Sequence, residues 1–250
     1  MNGSFRQRLE NGELLVGSIV SLPSPEIAEI FADIGYDWLW VDVEHTTLTI
    51  PDVQRIVQAT DGRCHCIVRA PSGDEVWAKK VLDTGTAGIL FPHVNSADEA
   101  EKIVRICRYP PEGSRSVGIS RAHGYGLTFQ DYVDKANRSV SVILQIEDVE
   151  GVKNVESIVQ VEGVDAILIG PYDLSGTMGK IGKVTDPDVQ DEIEKVRKDC
   201  ERAGMPIGIF GIDAEAVKPY IQRGFTLIGM GFDTTYLIKA AREALDEIRG

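Results

Sequence analysis

The chain has 250 residues, 39 acidic and 26 basic, for a formal net charge of −13 at pH 7. That balance argues against a polyanion as the main partner, so no nucleic acid is expected, although a small anionic substrate is still compatible because local charge decides its binding. No run approaches the 18 or so apolar residues of a membrane span. The opening residues, MNGSFRQRLENGELL, lack the apolar core and cleavage site of a secretory signal. Cys64, Cys66, Cys107 and Cys200 are too few and too scattered for a disulfide framework. A cytoplasmic protein is the expectation.

Eight short, apolar, β-branched runs recur along the chain. They cover residues 14–20, 36–43, 64–70, 87–94, 140–147, 165–171, 205–211 and 225–231. Each is bounded by turn residues and near-continuously apolar, as strands buried on both faces are. Helical spacing fills the gaps. Ser24 and Pro25 open one helix as N-cap and first residue. Asp186 and Pro187 open another, which Gly204 stops. Residues 233–249 form an amphipathic helix at the end. Eight strands alternating with helices predict one (β/α)8 TIM barrel over residues 1–250, with a doubly wound sheet as the alternative. No GxGxxG follows the first strand, which lowers that alternative. One stretch, RYPPEGSRSVGISRAHGYGLTF with a short helix DYVDKANRS behind it, breaks the rhythm and reads as a functional loop or subunit contact.

In such a barrel the chemistry sits at the carboxyl ends of the strands. Polar residues cluster there. The second strand ends in Asp42, Glu44 and His45, the third in Arg69, the fourth near His93. The fifth ends in Gln145 and Glu147, and the sixth runs into Gly170, Pro171, Tyr172 and Asp173. Gln145 and Glu147 are two apart and share a face. An inward carboxylate is costly without a partner, and a divalent cation shared with Asp173 is one solution; a nearby arginine or a helix cap is the other. His45 reads as a general base, a metal ligand or a structural histidine. Arg69 suits a carboxylate or a developing enolate oxygen, or else a salt bridge across the barrel mouth. A three-histidine zinc site would need His45, His93 and His123 to converge, and no HxH or HxxxH pair arranges them. Alternation along a strand turns His65 away from Cys64 and Cys66. No lysine falls within a proposed strand, so a Schiff-base aldolase is not expected and enolate chemistry would depend on a metal.

Six segments make the reading specific: WLWVDVEHT (38–46), VRAP (68–71), LDTG (82–85), RYPPEGSRSVG (108–118), LQIED (144–148) and GPYDLSGTMG (170–179). In this order they resemble the metal-dependent class II pyruvate aldolases of the HpcH/HpaI aldolase family, over nearly the whole chain. The resemblance implies a phosphoenolpyruvate/pyruvate-type barrel. It implies reversible cleavage of a 4-hydroxy-2-keto acid, of the 2-keto-3-deoxy sugar-acid or 4-hydroxy-2-oxoheptanedioate type, to pyruvate and an aldehyde. It makes His45 the acid/base residue, with Asp83 as its dyad partner and Asp42 and Glu44 behind it. Arg69 would lie on the enolate oxygen, and Glu147 and Asp173 would hold Mg²⁺, Mn²⁺ or Co²⁺. Gln145, Gly170, Tyr172 and Asp173 would line the substrate pocket, with backbone groups of Tyr172 and Asp173 on the pyruvate carboxylate. A homo-oligomer is implied, a hexamer built as a trimer of dimers with the last helix exchanged. A related lyase acting on CoA thioesters, of the citrate lyase beta-like type, is the alternative, but no basic cluster is present to hold a nucleotide. Many members carry Gly at Val43 and Ala-Pro-Asn at Thr46-Thr47-Leu48, and some have Trp near Ile19. These departures fall around the acceptor pocket.

Overall fold

The computed structural model describes residues 3–250. All eight expected strands form, each within a few residues of its sequence limits: β1 (Leu15–Val20), β2 (Trp38–Asp42), β3 (His65–Arg69), β4 (Gly88–Phe91), β5 (Ser141–Ile146), β6 (Ala166–Ile169), β7 (Ile207–Gly211) and β8 (Leu227–Phe232). They pair in parallel in chain order and close β8 onto β1, a (β/α)8 barrel rather than an open doubly wound sheet. The helices are α1 (Phe5–Glu10), α2 (Pro25–Ile34), α3 (Ile50–Thr60), α4 (Glu75–Leu82), α5 (Ala97–Cys107), α6 (Phe129–Ser139), α7 (Val149–Ile158), α8 (Pro171–Thr177), α9 (Pro187–Ala203), α10 (Ala214–Gln222) and α11 (Asp233–Arg249). The inserted stretch folds as a 3-10 segment, Arg121–Gly126, leading into α6. Among the described residues no helix is long and apolar enough to cross a membrane.

Local chemistry sets the ends of the elements. The Ser24 hydroxyl accepts from the Ile27 amide and opens α2 with Pro25 behind it; Gly35 in left-handed backbone closes it. Asp186 caps α9 in the same way, and Gly204 stops it. The fourth strand is shorter than its apolar run because Pro92 and His93 leave the ladder. His93 takes a left-handed backbone, φ 55°, which is uncommon for a residue with a β-carbon.

The period of two along each strand sorts side chains into two cores. One face packs outward under the helices. The other fills the barrel with Leu15, Ile19, Trp38, Trp40, Ile67, Leu90, Ile143, Ala166, Leu168 and Leu227. Trp38 and Trp40 stack with ring centres 6.0 Å apart, so the tryptophans form a column along the axis. Gly17 makes room for it: a β-carbon there would lie 2.5 Å from the Trp38 indole. Helix α1 plugs the amino-terminal end with Phe5 and Leu9. The column leaves only the carboxyl end open, and the next inward positions, Asp42 after Trp40 and Arg69 after Ile67, must be polar and aimed at the mouth. All four cysteines are buried and free. Cys64 and Cys66 join the outer core while His65 meets Phe5 at the plugged end, as alternation predicts.

His65 packs edge-on against Phe5 at 5.4 Å, and burial lowers its pKa to about 4. In the unfolded chain it titrates near 6.5. The folded value is the lower one, so its contribution is intact above pH ~6.5. It is lost as the pH falls toward ~4, by up to about 3 kcal/mol. Thermal unfolding midpoints measured across this range are expected to fall more steeply for the native chain than for His65→Gln.

Candidate active site

Four inward positions meet at the open end. Asp42 and Arg69 are register partners on β2 and β3. The Arg69 guanidinium donates from Nε to Asp42 Oδ1 at 2.9 Å and from Nη2 to Oδ2 at 2.8 Å, a two-pronged pair. It lies 4.8 Å from the centre of the Trp40 ring, and its Nε is 3.2 Å from Glu44 Oε2. Both residues are buried. Asp42 Oδ1 also accepts from the Glu44 and His45 amides, at 3.0 and 3.4 Å, and fixes the turn after β2. His45 stands at the rim with its side chain 62% exposed and Nε2 3.5 Å from Glu44 Oε2. Burial raises the Glu44 pKa, opposed by Arg69, His45 and His93.

Opposite Arg69, Gln145 points inward from β5 and Glu147 follows two residues later. The Gln145 amide Nε2 donates to Glu147 Oε2. Glu147 Oε1 accepts from the His93 amide at 2.9 Å and lies 3.2 Å from His93 Nδ1. Burial pushes the Glu147 carboxyl well above the usual carboxylate range; His93 opposes the rise, and the like charges of Asp173 and Glu44 add to it. Asp173 stands on the first turn of α8, exposed toward the cavity, with Pro171 before it. The amides of Tyr172 and Asp173 are first-turn donors that the helix cannot use. Gly170 is the close point: a β-carbon there would lie 2.5 Å from Glu147 Oε2 and 2.8 Å from Gln145 Nε2.

These groups enclose a cavity of about 170 Å³ lined by Trp40, His45, Arg69, Gln145, Gly170 and Asp173, among others. That is below the few hundred Å³ of a drug-sized pocket, so the ligand is small. A hard divalent cation fits the donor set. Two carboxylates, Glu147 and Asp173, lie near enough to repel, the first is buried beyond what its hydrogen bonds offset, and the Gln145 Oε1 oxygen is buried without a partner. Among the described residues no three His, Cys, Asp or Glu side chains form a metal cluster. Glu147 and Asp173 would therefore hold such an ion with oxygens supplied by substrate and solvent.

One expectation is not met within one chain. Asp83 ends α4, and a helix following a parallel strand returns to the strands' amino-terminal end. Its carboxylate pairs there with buried Arg115 at 2.7 Å, at the opposite end of the barrel from His45. The three histidines do not converge, as their spacing in the sequence indicated. His123 is buried between Tyr109, 3.0 Å from Nε2, and Ser120, 2.8 Å from Nδ1. The residue that sequence reasoning underused is His93. Its position past a strand end was a signal, but its backbone turn onto Glu147 was not readable.

A barrel whose open end gathers carboxylates, a fixed guanidinium and a rim histidine around a small cavity is an enzyme's architecture. Comparison with known proteins narrows it. The family described as HpcH/HpaI aldolase/citrate lyase matches residues 17–240. The hydroxypyruvate/pyruvate aldolase of Paraburkholderia phytofirmans is 37% identical, covering 98% of this chain and 97% of that protein. The 4-hydroxy-2-oxo-heptane-1,7-dioate aldolase of Shigella sonnei is 40% identical over 98% of this chain and 94% of its own. The crystal structure of a family protein from Burkholderia cenocepacia J2315 superposes with a TM-score of 0.94 at 36% identity, covering 98% of each chain. The chain belongs to the HpcH/HpaI aldolase/citrate lyase family. It is an enzyme of the aldolase class, a carbon–carbon lyase.

The glycine under Glu147 yields a direct check. Gly170→Ala is expected to displace that carboxylate and weaken Mn²⁺ binding by roughly 10–100-fold, read by calorimetric titration. Unchanged affinity would separate Gly170 from the metal site.

Proposed function

We propose that the enzyme reversibly cleaves a 4-hydroxy-2-keto acid to pyruvate and an aldehyde, with a divalent metal held by Glu147 and Asp173. The observation that carries this reading is the buried Glu147 carboxylate, near enough to Asp173 to feel its charge, beside a small cavity that Asp173 lines together with the immobilised Arg69 guanidinium. When bound, the metal supplies Lewis-acid polarisation of the substrate's keto and carboxylate oxygens.

The chain's own groups account for the rest. First-turn amides of Tyr172 and Asp173 receive the carboxylate of the keto acid. Arg69 is held by Asp42 and the Trp40 face, so it meets the developing enolate oxygen without reorganising. His45, at the rim beside Glu44, takes the proton of the 4-hydroxyl. The bond between C3 and C4 then breaks, its electron pair passing to the enolate while the C4 oxygen becomes the aldehyde carbonyl. Protonation of the enolate at C3 gives pyruvate. Gln145 holds Glu147 and lines the pocket.

Because Asp83 lies at the far end of its own barrel, it can serve as the dyad partner of His45 only from a second copy of the chain. Exposed apolar side chains support such an assembly. Helix α11 presents Leu237, Ile238, Leu245 and Ile248, and the inserted loop Val117, Ile119, Tyr125 and Leu127, all exposed in one chain. The hexameric trimer of dimers belongs to this proposal.

Methyl deuteration of pyruvate in D₂O, followed by proton NMR, tests the enolisation half without an aldehyde. Exchange is expected with Mg²⁺ or Mn²⁺, lost with EDTA and in Glu147→Ala, and slowed by roughly 10²–10³-fold in Arg69→Lys. No exchange with any divalent metal would sink the reading. The shared dyad has its own check: His45→Ala and Asp83→Ala chains, each nearly inactive in aldol cleavage, are expected to regain activity when refolded as a mixture. If both parents stay inactive in the mixed oligomer, Asp83 does not act across subunits.

A further inference from the structure

The end of the barrel away from the cavity holds a buried cation that the chemistry above leaves without a task. The Arg115 side chain is 1% exposed, so its neighbours are set within one chain and depend neither on a metal nor on a second copy. A guanidinium taken out of water needs a counter-charge. Among the described residues Asp83 is the one carboxylate in ion-pair reach, with Arg115 Nη2 donating to Oδ1 at 2.7 Å. Nη1 donates to the Tyr132 hydroxyl at 3.3 Å, and the guanidinium lies over the Tyr109 ring, 4.5 Å from its centre. The backbone fixes this cage. The Arg115 amide donates to the Arg108 carbonyl at 2.9 Å. A β-carbon on Gly113 would lie 2.3 Å from the Arg105 carbonyl oxygen, so the turn before Arg115 admits no side chain there. The Tyr109 hydroxyl is held in turn by His123.

Asp83 is held on one side only. Its side chain is 26% exposed, and among the described residues Oδ2 has no hydrogen-bond partner and is not sealed from solvent. The Ala122 amide donates to the Asp83 carbonyl at 3.1 Å, and Arg121 Nη1 to the Thr84 carbonyl at 2.7 Å. Asp83 is thereby rooted in the loop whose Ile119, Tyr125 and Leu127 are exposed in one chain. It also closes α4, and a negative charge is disfavoured at a helix C-terminus unless a cation offsets it. We infer that Arg115 is a positioning residue: it holds Asp83 by Oδ1 so that Oδ2 meets the His45 imidazole of a second copy in one orientation. This rests on the shared-dyad reading above. An aspartate that orients an imidazole must itself be fixed, and a shift of about 1 Å can cost roughly 100-fold in rate. Without the guanidinium, a short carboxylate at a helix end turns freely into solvent.

The test uses mixed oligomers. Arg115→Met removes the charge and keeps an unbranched side chain. Its kcat for aldol cleavage is expected to fall by roughly 10–100-fold. KM and Mn²⁺ affinity are expected to stay native, because Glu147 and Asp173 lie at the other end of the barrel. Arg115→Lys keeps the charge without the planar fork and is expected to fall less. Refolded with His45→Ala, the Arg115→Met chain is expected to regain activity, since a site then forms from its own His45 and the intact Asp83–Arg115 pair of the other chain. Refolded with Asp83→Ala, it is expected to stay at the average of the two parents, because both changes spoil the same half of the site. A structural role alone would not make recovery depend on the partner. Native kcat in folded Arg115→Met, a fall in Mn²⁺ affinity alongside kcat, or recovery with Asp83→Ala overturns the inference. If Arg115→Met does not fold, Tyr132→Phe decides, since it deletes only the hydroxyl on Nη1. It is expected to lower kcat with the same pairing pattern, and native kcat overturns the inference. The mixture of His45→Ala and Asp83→Ala separates the two levels. If that pair fails to regain activity, the shared dyad falls and this inference with it. If it recovers while Arg115→Met keeps native kcat, only the role of Arg115 falls.

Discussion

The two-pronged contact between Asp42 and Arg69 is what the open end of the barrel is arranged around. It joins the last inward positions of two adjacent strands and holds a guanidinium against an indole face. Through Asp42 it also ties down the amides of the turn that carries His45. A buried ion pair contributes little net stability over an apolar replacement, but removing one partner costs about 3–5 kcal/mol because the other charge is stranded. The pair is therefore weak as glue and strong as a constraint. It keeps a positive charge at one fixed place in a region of many negative ones.

Glu147 shows the complementary situation. It is buried, hydrogen-bonded to Gln145 and His93, and still held toward its protonated form. Its environment is unfinished, and a cation finishes it. Gly170 lets the neighbouring strand pass close enough to leave that space, and His93 adopts an uncommon backbone to reach the carboxylate. The fold stores a modest local cost at His93 to keep one carboxylate in place.

Much of this was legible in the sequence, for physical reasons. Strands buried on both faces must be nearly all apolar, so the eight runs stood out, and in a barrel the few polar residues that end them converge. The period of two put Gln145 and Glu147 on one face and turned His65 from its cysteines. Asp83 is the counterexample. Its motif matched the resemblance, yet the antiparallel return of α4 carries it to the plugged end, and motif order carries no information about which copy of a chain supplies a residue. His93 and Gly170 were opaque for another reason. Their roles depend on a backbone angle and a missing β-carbon, neither of which leaves a pattern in the spacing. The apolar side of the cavity was partly hidden: the resemblance put Ile19 near the pocket, but Trp40, Phe210 and Phe232 read as ordinary strand residues until closure of the barrel made them neighbours.

That closure also fixes when the enzyme can first exist. Asp233, at the start of the last helix, accepts from the backbone amides of Ser21 and Leu22 and from the Ser21 hydroxyl, more than two hundred residues earlier. Strand β8 completes the sheet beside β1, and Phe232 completes the cavity wall. A growing polypeptide therefore carries Arg69, Glu147 and Asp173 well before it has a pocket, and the mouth takes shape only when its final tenth has been made. Truncation before β8 removes the seam of the barrel, so a product shortened that far loses the enclosure that gives its acidic groups a purpose.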